Sequence, residues 1–409
     1  MHQTIYGPYG PVVVFMDGSE SIYTYHPLNA PMMKGAGIAA IATVAVVLCL
    51  VFSYVTSDDS PTLQATLVVE ERGTYLDISN EDLLSIGAYP GCDIKVCYGD
   101  SEHFVALYSD SHGGSASYSP TIRYSERSQR ISIGIGGSSL TGETGLSDGD
   151  TVTLKVIGDD PFYKLVPNYR AGSTDKRADY DDDQEFGNYR ELRGGNLKDD
   201  TFYRSSNPWN HRSERAQYSD DYYREMGVEN LICLDLDMAK VEERCQELPD
   251  AYATSLFEEG KVHAQALSPS VHSHPEQARF VLESLLDTDG SVGIFCTYGR
   301  DRTGAYCAMI ESLAGATFEE VREDFMESLC NYNHIEKGSK EYEAVAQMYV
   351  DRVLYLYKHP EYIGHHLDVD WAHMDFSDYV PEEVMTNYLI DFAGMPPELV
   401  QAVKERITA

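Results

Sequence analysis

The sequence predicts an α/β chain whose central sheet is flanked by helices, preceded by a small all-β domain and an N-terminal transmembrane helix. Three observations predict it. The run Ala36 to Val55 carries no charge and is long enough to span a bilayer. From Thr62 to about Pro167 apolar and polar residues alternate with period two. From Tyr189 onward strand-like and helix-like patterns alternate, as in a sheet with helical crossovers. The boundaries that follow are a tail over 1–33, a membrane segment over 34–56, a β domain over 60–167, an acidic linker over 168–188 and an α/β domain over 189–409.

Residues 1–33 contain no lysine or arginine and read as a short disordered tail. The apolar run has no polar face, which argues against a buried soluble helix. Lys34 precedes it and Asp58-Asp59 follow, so the positive-inside rule keeps the N-terminus inside. The chain is then a single-pass protein of the cell membrane with its folded domains outside the cytoplasm. A cleaved signal peptide competes, with Met32 or Met33 as start and Val55-x-Ser57 as cleavage site; the protein would then be secreted.

The β domain holds strand-like segments at Ala65–Val69, Ile94–Val96, Phe104–Tyr108 and Val152–Ile157, separated by Gly, Asp, Ser and Pro turns. A barrel and a sandwich both fit, with a short helical turn at Asn80–Leu84. Gly134-Ile135-Gly136-Gly137 reads as a turn or bulge, because no helix is expected after it to complete a nucleotide loop. Cys92 and Cys97 sit on one strand, which puts their α-carbons roughly 16 Å apart, beyond disulfide reach. Asp179-Tyr180-Asp181-Asp182-Asp183 lacks the glycine and closing glutamate of a calcium loop and reads as a solvated linker.

In the α/β part, a helix from Ala216 to Met226 ends at Gly227, and Asn230–Asp235 forms a central strand. Lys261–Leu267 is the next strand, and Glu276–Leu286 is a helix with Ala278, Val281 and Leu285 on one face. Val292–Cys296 is a buried strand, and Thr303–Ala316 is the central helix. Thr317-x-x-Glu320 is a capping box for a helix with the stripe Phe318, Val321, Phe325 and Leu329.

Charge narrows the function. With 31 basic against 66 acidic residues the net charge is −35, so nucleic acid and anionic membrane surfaces are poor partners. Any phosphate site must be a local positive island. Cys296-Thr297-Tyr298-Gly299-Arg300-Asp301-Arg302-Thr303-Gly304 is such an island at a strand-to-helix junction. Loop amides and a helix N-terminus favour a phosphate dianion there, and the same field stabilises a thiolate at Cys296. Arg302 can fork two bonds onto phosphate oxygens, as a lysine cannot. The Thr303 hydroxyl stands where it can steady the sulfur as a leaving group.

These residues resemble the Cys-x5-Arg-Thr/Ser signature of cysteine-dependent protein tyrosine phosphatases. The spelling is most like a bacterial branch that accepts phosphotyrosine, phosphoserine/threonine or phosphoinositides. Phe295 stands where that branch carries histidine, and Arg300 where it carries lysine. Tyr203-Arg204-Ser205-Ser206 and Asn331-Tyr332 through Glu336-Lys337-Gly338-Ser339 resemble further segments of the branch, so the likeness covers about residues 186–409. It implies a phosphoric monoester hydrolase acting on a phosphoprotein or phosphoinositide through a cysteinyl-phosphate, with no cofactor and no metal. Cys296, Arg302 and Asp301 are the catalytic candidates, and Thr297, Tyr298, Gly299, Arg300 and Thr303 the substrate-binding ones. The resemblance gives Asp301 the proton-transfer role, although two flanking arginines suit a base better than an acid.

Other constellations compete. Asp235-Leu236-Asp237 mimics the Asp-x-Asp of magnesium-dependent phosphatases but lacks the threonine that follows there; within a cysteine phosphatase both carboxylates are minor candidates for the acid, and a solvated strand-end turn is the plain reading. His365, His366 and His373 form a surface loop or a zinc site. His263, His272 and His274 are exposed or core histidines. A phosphate-binding module without turnover and a rhodanese-like sulfurtransferase are the alternatives to a phosphatase.

Overall fold

A computed structural model describes residues 2–7, 10–15, 60–100, 102–109, 118–163, 165 and 174–409. Met1–Asp59 and Ser60–Ala409 are separate compact units. In the first, β1 (His2–Gly7) and β2 (Gly10–Phe15) pair as an antiparallel hairpin where a structureless tail is expected. The apolar run 36–55 lies outside the described residues. Among the described residues, no helix is long and apolar enough to cross a membrane.

The period-two region closes into a barrel. Its strands are β3 (Thr62–Glu70), β4 (Gly73–Leu76), β5 (Cys92–Tyr98), β6 (Glu102–Ser109), β7 (Pro120–Ser125), β8 (Arg130–Ile135) and β9 (Thr151–Asp159). They are joined in the order β3-β4-β8-β7-β6-β5-β9. Closure leaves no unpaired strand edge. Every pairing is antiparallel except β6 with β7. Alternation puts Ile94, Val96, Ile122, Ile131, Val152 and Leu154 inside, all fully buried. Ser79 and Asp82 form a capping box on the helix Asn80–Ser85. Cys92 and Cys97 are free. The glycine run ends β8 in a turn, with Gly137 at φ +78°. Contrary to expectation a helix does follow it, but Leu140–Thr144 is a single five-residue turn capped by Ser139.

The second sheet has the order β10 (Arg190–Glu191), β11 (Phe202–Ser206), β14 (Val292–Cys296), β12 (Asn230–Cys233), β13 (Val262–Ala264). Only β10 is antiparallel to its neighbour. β14 is central and buried on both faces, which is why it reads as an unbroken apolar run. On one face Phe295 packs with Tyr223, Val241 and Leu256. On the other, Val292, Ile294 and Cys296 join the larger core built by the helices Asp301–Leu313 and Phe318–Asn333. β13 is shorter than the expected 261–267, although Gln265 and Leu267 still donate their amides to Cys233 and Leu234. The stretch 174–188 is not a free linker. Its aspartates are exposed, but Tyr180 and Phe186 are buried against the sheet domain.

Barrel and sheet domain are locked by a polar–aromatic seam. Tyr118, at the barrel's edge, is buried with its ring 5.1 Å from His366 and 6.1 Å from Trp371. Its hydroxyl lies 3.1 Å from His272 Nδ1. Ser273 donates to the Gly137 carbonyl at 2.7 Å, and the Leu367 amide to Glu143 at 2.9 Å. His366, expected on a surface loop, is thus buried beside Glu143 at 3.4 Å, while His373 pairs with Asp370 in solvent. Among the described residues no three histidine, cysteine or acidic side chains converge as a metal site.

Burial pulls the His272 imidazole down to about 3, so it is neutral in the folded state. An unfolded histidine binds a proton near pH 6.5, so stability is full above that pH and falls as pH drops toward 3. The slope should be about 1.4 kcal/mol per pH unit. Urea midpoints measured from pH 6.5 to 4.5 should therefore fall more steeply in the wild type than in His272→Gln. Parallel curves would show that the seam does not depend on a neutral imidazole.

Candidate active site

Cys296 is the last residue of β14 and is buried at 3% exposure. The chain then curls through 297–300 and enters the helix at Asp301. Gly299 makes the curl possible. It has φ +66°, and a Cβ there would lie 2.5 Å from the Ser205 carbonyl oxygen of β11. Gly304 has a similar role one turn into the helix, where a Cβ would fall 2.2 Å from the Phe325 ring.

The loop is held from behind by buried donors. Asn188 donates to the Tyr298 carbonyl at 3.0 Å, and Arg204 to the Gly299 carbonyl at 3.1 Å. In a planar trans peptide the N–H opposes the C=O, so fixing the Gly299 carbonyl outward turns the Arg300 amide into the loop. Arg204 is fully buried and also bonds Ser328 at 2.8 Å and Asp324. Arg190 reaches the same groups, bonding Asp324 Oδ1 at 2.8 Å and Ser328 at 2.9 Å. Burial raises the Asp324 carboxyl, but Arg190 and Arg204 more than reverse this and hold it below the ordinary range. Below this network Glu311 is fully buried, and its carboxyl is driven well up by burial and by Asp324.

At the other end of the loop, the Thr297 hydroxyl donates to Asp235 at 2.8 Å, and Asn207 donates to both Asp235 oxygens at 3.0 and 3.1 Å. Arg302 folds back over the loop, with Nη2 3.2 Å from Thr297 Oγ1 and Nη1 3.2 Å from the Leu267 carbonyl. Asp237 is turned elsewhere. It caps the helix Met238–Glu247 by accepting from the Lys240 amide at 2.8 Å. The two aspartates of the Asp-x-Asp pattern therefore have separate structural duties and do not converge. Thr303 is fully buried, and its hydroxyl has no bonded partner among the described residues.

Asp301 is held by two side chains. Arg300 pairs with it at 2.9 Å, and the Tyr349 hydroxyl donates to it at 2.5 Å. Arg300 also lies over the Tyr332 ring at 4.7 Å, and Tyr332 meets Tyr298 at 4.8 Å. Tyr298 is the most exposed residue of the loop, at 38%. Phe295 does not face the thiol. It fills the opposite core, 5.6 Å from Trp209 and 6.3 Å from Tyr223.

Cys296, Thr297, Gly299, Arg302 and Thr303 thus share one loop, while Tyr298, Arg300 and Asp301 form its outer rim. Sequence reasoning missed Asn188, Asn207, Arg204, Asp324 and Tyr349. The segments Tyr203–Ser206 and Asn331–Tyr332 were the available signals: the first contains Arg204, the second supplies the Tyr332 ring and an Asn331 bond to Asn188 at 3.3 Å.

A sequence profile described as the tyrosine phosphatase family matches residues 184–409, more than half the chain. The chain belongs to the tyrosine phosphatase family. The match takes in the whole second sheet and the Cys296 loop and leaves the barrel outside. Membership supports phosphatase activity in general. No curated protein matches the chain. Among solved structures, similarity is found to the crystal structure of an uncharacterized conserved protein from Thermotoga maritima. It is 13% identical, with a TM-score of 0.21, over 23% of this chain and 36% of that one. The matched part is thus about a third of that protein's length, and the likeness carries no argument about fold or activity.

Arg204 should be a positioning residue for this phosphatase loop. Arg204→Lys keeps the charge but cannot fork across Asp324, Ser328 and the Gly299 carbonyl. We expect a loss of about 2 kcal/mol in stability and, from the slackened loop, a fall in kcat on the order of 10²-fold. Urea unfolding and p-nitrophenyl phosphate hydrolysis measure the two. Lower stability with wild-type kcat would reduce Arg204 to a packing group.

Proposed function

We propose that this protein hydrolyses phosphate monoesters of a phosphoprotein or phosphoinositide through a cysteinyl-phosphate on Cys296. The observation that carries the reading is the loop itself: a buried cysteine at the end of the central strand, with the carbonyls beyond it fixed outward by Asn188 and Arg204. The Cys296 thiolate attacks phosphorus in line, the S–P bond forms, and the P–O bond to the leaving group breaks. Loop amides and Arg302 hold the equatorial oxygens, where charge must be stabilised through the transition state. Water then attacks the cysteinyl-phosphate, and the sulfur departs toward the Thr303 hydroxyl.

We assign proton transfer to Asp301. Its carboxylate is oriented by Arg300 and Tyr349 at the open rim, whereas Asp235 is engaged by Thr297 and Asn207 and Asp237 caps a helix. Retention of the cysteine at the end of the central strand favours turnover over a silent phosphate-binding module. The apolar run 36–55 would anchor this activity in the membrane, outside the cytoplasm.

Comparing ester classes tests the assignment. Cys296→Ser should abolish turnover while vanadate binding survives. Asp301→Asn should slow a tyrosyl or alkyl phosphate by about 10²-fold or more, yet spare an activated aryl phosphate whose leaving group needs no proton. Equal losses on both esters would remove Asp301 from proton transfer. A selective loss in Asp235→Asn would move the role there, and turnover by Cys296→Ser within tenfold of wild type would end the cysteine mechanism.

A further inference from the structure

A cavity of about 790 Å³ opens between the catalytic loop and the outer face of the barrel. Arg300, Asp301 and Tyr349 form its catalytic end, and the barrel strands β4, β7 and β8 form its wall. Its lining holds four guanidinium groups, from Arg72, Arg123, Arg130 and Arg300, against one carboxylate, Asp301. The whole chain has the opposite bias, with 66 acidic and 31 basic residues. Acidic side chains that crowd the rest of the molecule are thus scarce on the wall beside Arg300 and Asp301.

The barrel's pairing register arranges that wall. Arg123 lies opposite Ser132, Ser125 opposite Arg130, and Thr121 opposite Gly134, while the alternate isoleucines point inward. The wall is therefore made of arginines set among small hydroxyl residues and glycine, with hydrogen-bond donors and little bulk. Arg130 lies 3.5 Å over the Tyr75 ring and is paired with Glu70 at 2.9 Å, at 37% and 47% side-chain exposure. Such an exposed pair is weak and can share its fork with an incoming carboxylate.

Length selects the ligand. From Arg130 to Ile135, β8 alone runs roughly 17 Å at its rise per residue. A single phosphorylated headgroup is shorter than this wall. An extended peptide of about five residues covers it. We propose that the cavity binds an acidic segment flanking the phosphorylated residue of a protein substrate, with Arg123 and Arg130 reading carboxylates four to six positions away. The barrel is then a substrate-docking wall, and the enzyme's preference is for phosphoproteins with acidic neighbours. This rests on the phosphatase reading above and narrows its substrate class.

The test uses the purified full chain and two phosphotyrosyl peptides, one with aspartates four to six residues on either side of the phosphotyrosine and one with alanines there. The acidic peptide should have a kcat/KM about tenfold higher, and this ratio should decline as salt shortens the screening length. Arg123→Ala and Arg130→Ala should each pull the ratio toward one. Because both peptides are compared within each variant, a general loss of activity or folding cancels. Ser132→Asp, which places a carboxylate on the wall, should lower the ratio as well. A wild-type ratio of one, or a ratio indifferent to all three substitutions, overturns the proposal. So does binding to phosphoinositide-containing vesicles that depends on Arg123 and Arg130 while the peptides are not distinguished. If no phosphate ester is turned over, the phosphatase reading fails separately; fluorescence anisotropy of the same peptides then decides, with a tenfold preference lost in Arg123→Ala supporting the wall and equal binding overturning it.

Discussion

The pairing of Arg204 and Arg190 with Asp324 is the constraint on which the catalytic half of the molecule depends. It ties β10 and β11 to the helix Phe318–Asn333, more than a hundred residues later in the chain. Two buried guanidiniums need a carboxylate, and one carboxylate with Ser328 serves both. Arg204 adds a bond to the Gly299 carbonyl. The orientation of the loop peptide is therefore set by an interaction that stabilises the sheet whether or not a substrate is bound. Preorganisation of this sort would leave little to rearrange in the proposed phosphoryl transfer.

A second constraint joins the two folded domains. Tyr118 sits in the catalytic core, not in the barrel's own. Hydrogen bonds across the seam include those of Tyr118 with His272, Ser273 with Gly137, Leu367 with Glu143 and Arg352 with Ser119. The outer strands β7 and β8 are thereby held beside Arg300 and Asp301, so that the barrel wall and the loop rim enclose one space. The barrel lies outside the tyrosine phosphatase match, yet it is no more separable from the active site than the helices are.

The loop was legible in the sequence because its chemistry is contiguous: strand, cysteine, arginine, hydroxyl and helix follow one another within a dozen residues. Several strands and helices were legible too, since periodicity is a local property, though β4, β7 and β8 were not among the segments it marked. What could not be read is what touches the loop from elsewhere. Asn188 and Arg204 lie about a hundred positions from the carbonyls they hold, and nothing in their local pattern separates them from any buried polar residue. For the barrel, alternation revealed strands but neither closure nor the parallel β6–β7 pair, because a strand's period says nothing about its partner. Within the 365–373 segment His366 misled for the same reason. Polar composition suggests a surface loop, as His365 and His373 are, while His366 is buried beside Glu143 and Tyr118, more than two hundred residues earlier.

Gly299 shows where this active site has room to vary. With a neighbouring carbonyl 2.5 Å from any added carbon, that position tolerates no side chain, and the residues bonded behind it are locked to one another. Tyr298 and Arg300 on either side project outward, one partly into solvent and the other across the cavity mouth. A substitution at Tyr298 would change what meets the loop, whereas one at Arg300 would also release the Asp301 carboxylate it pairs with. Under the proposed mechanism the loop would thus keep its chemistry in a packed interior and leave Tyr298 as the part of the perimeter through which substrate range could drift.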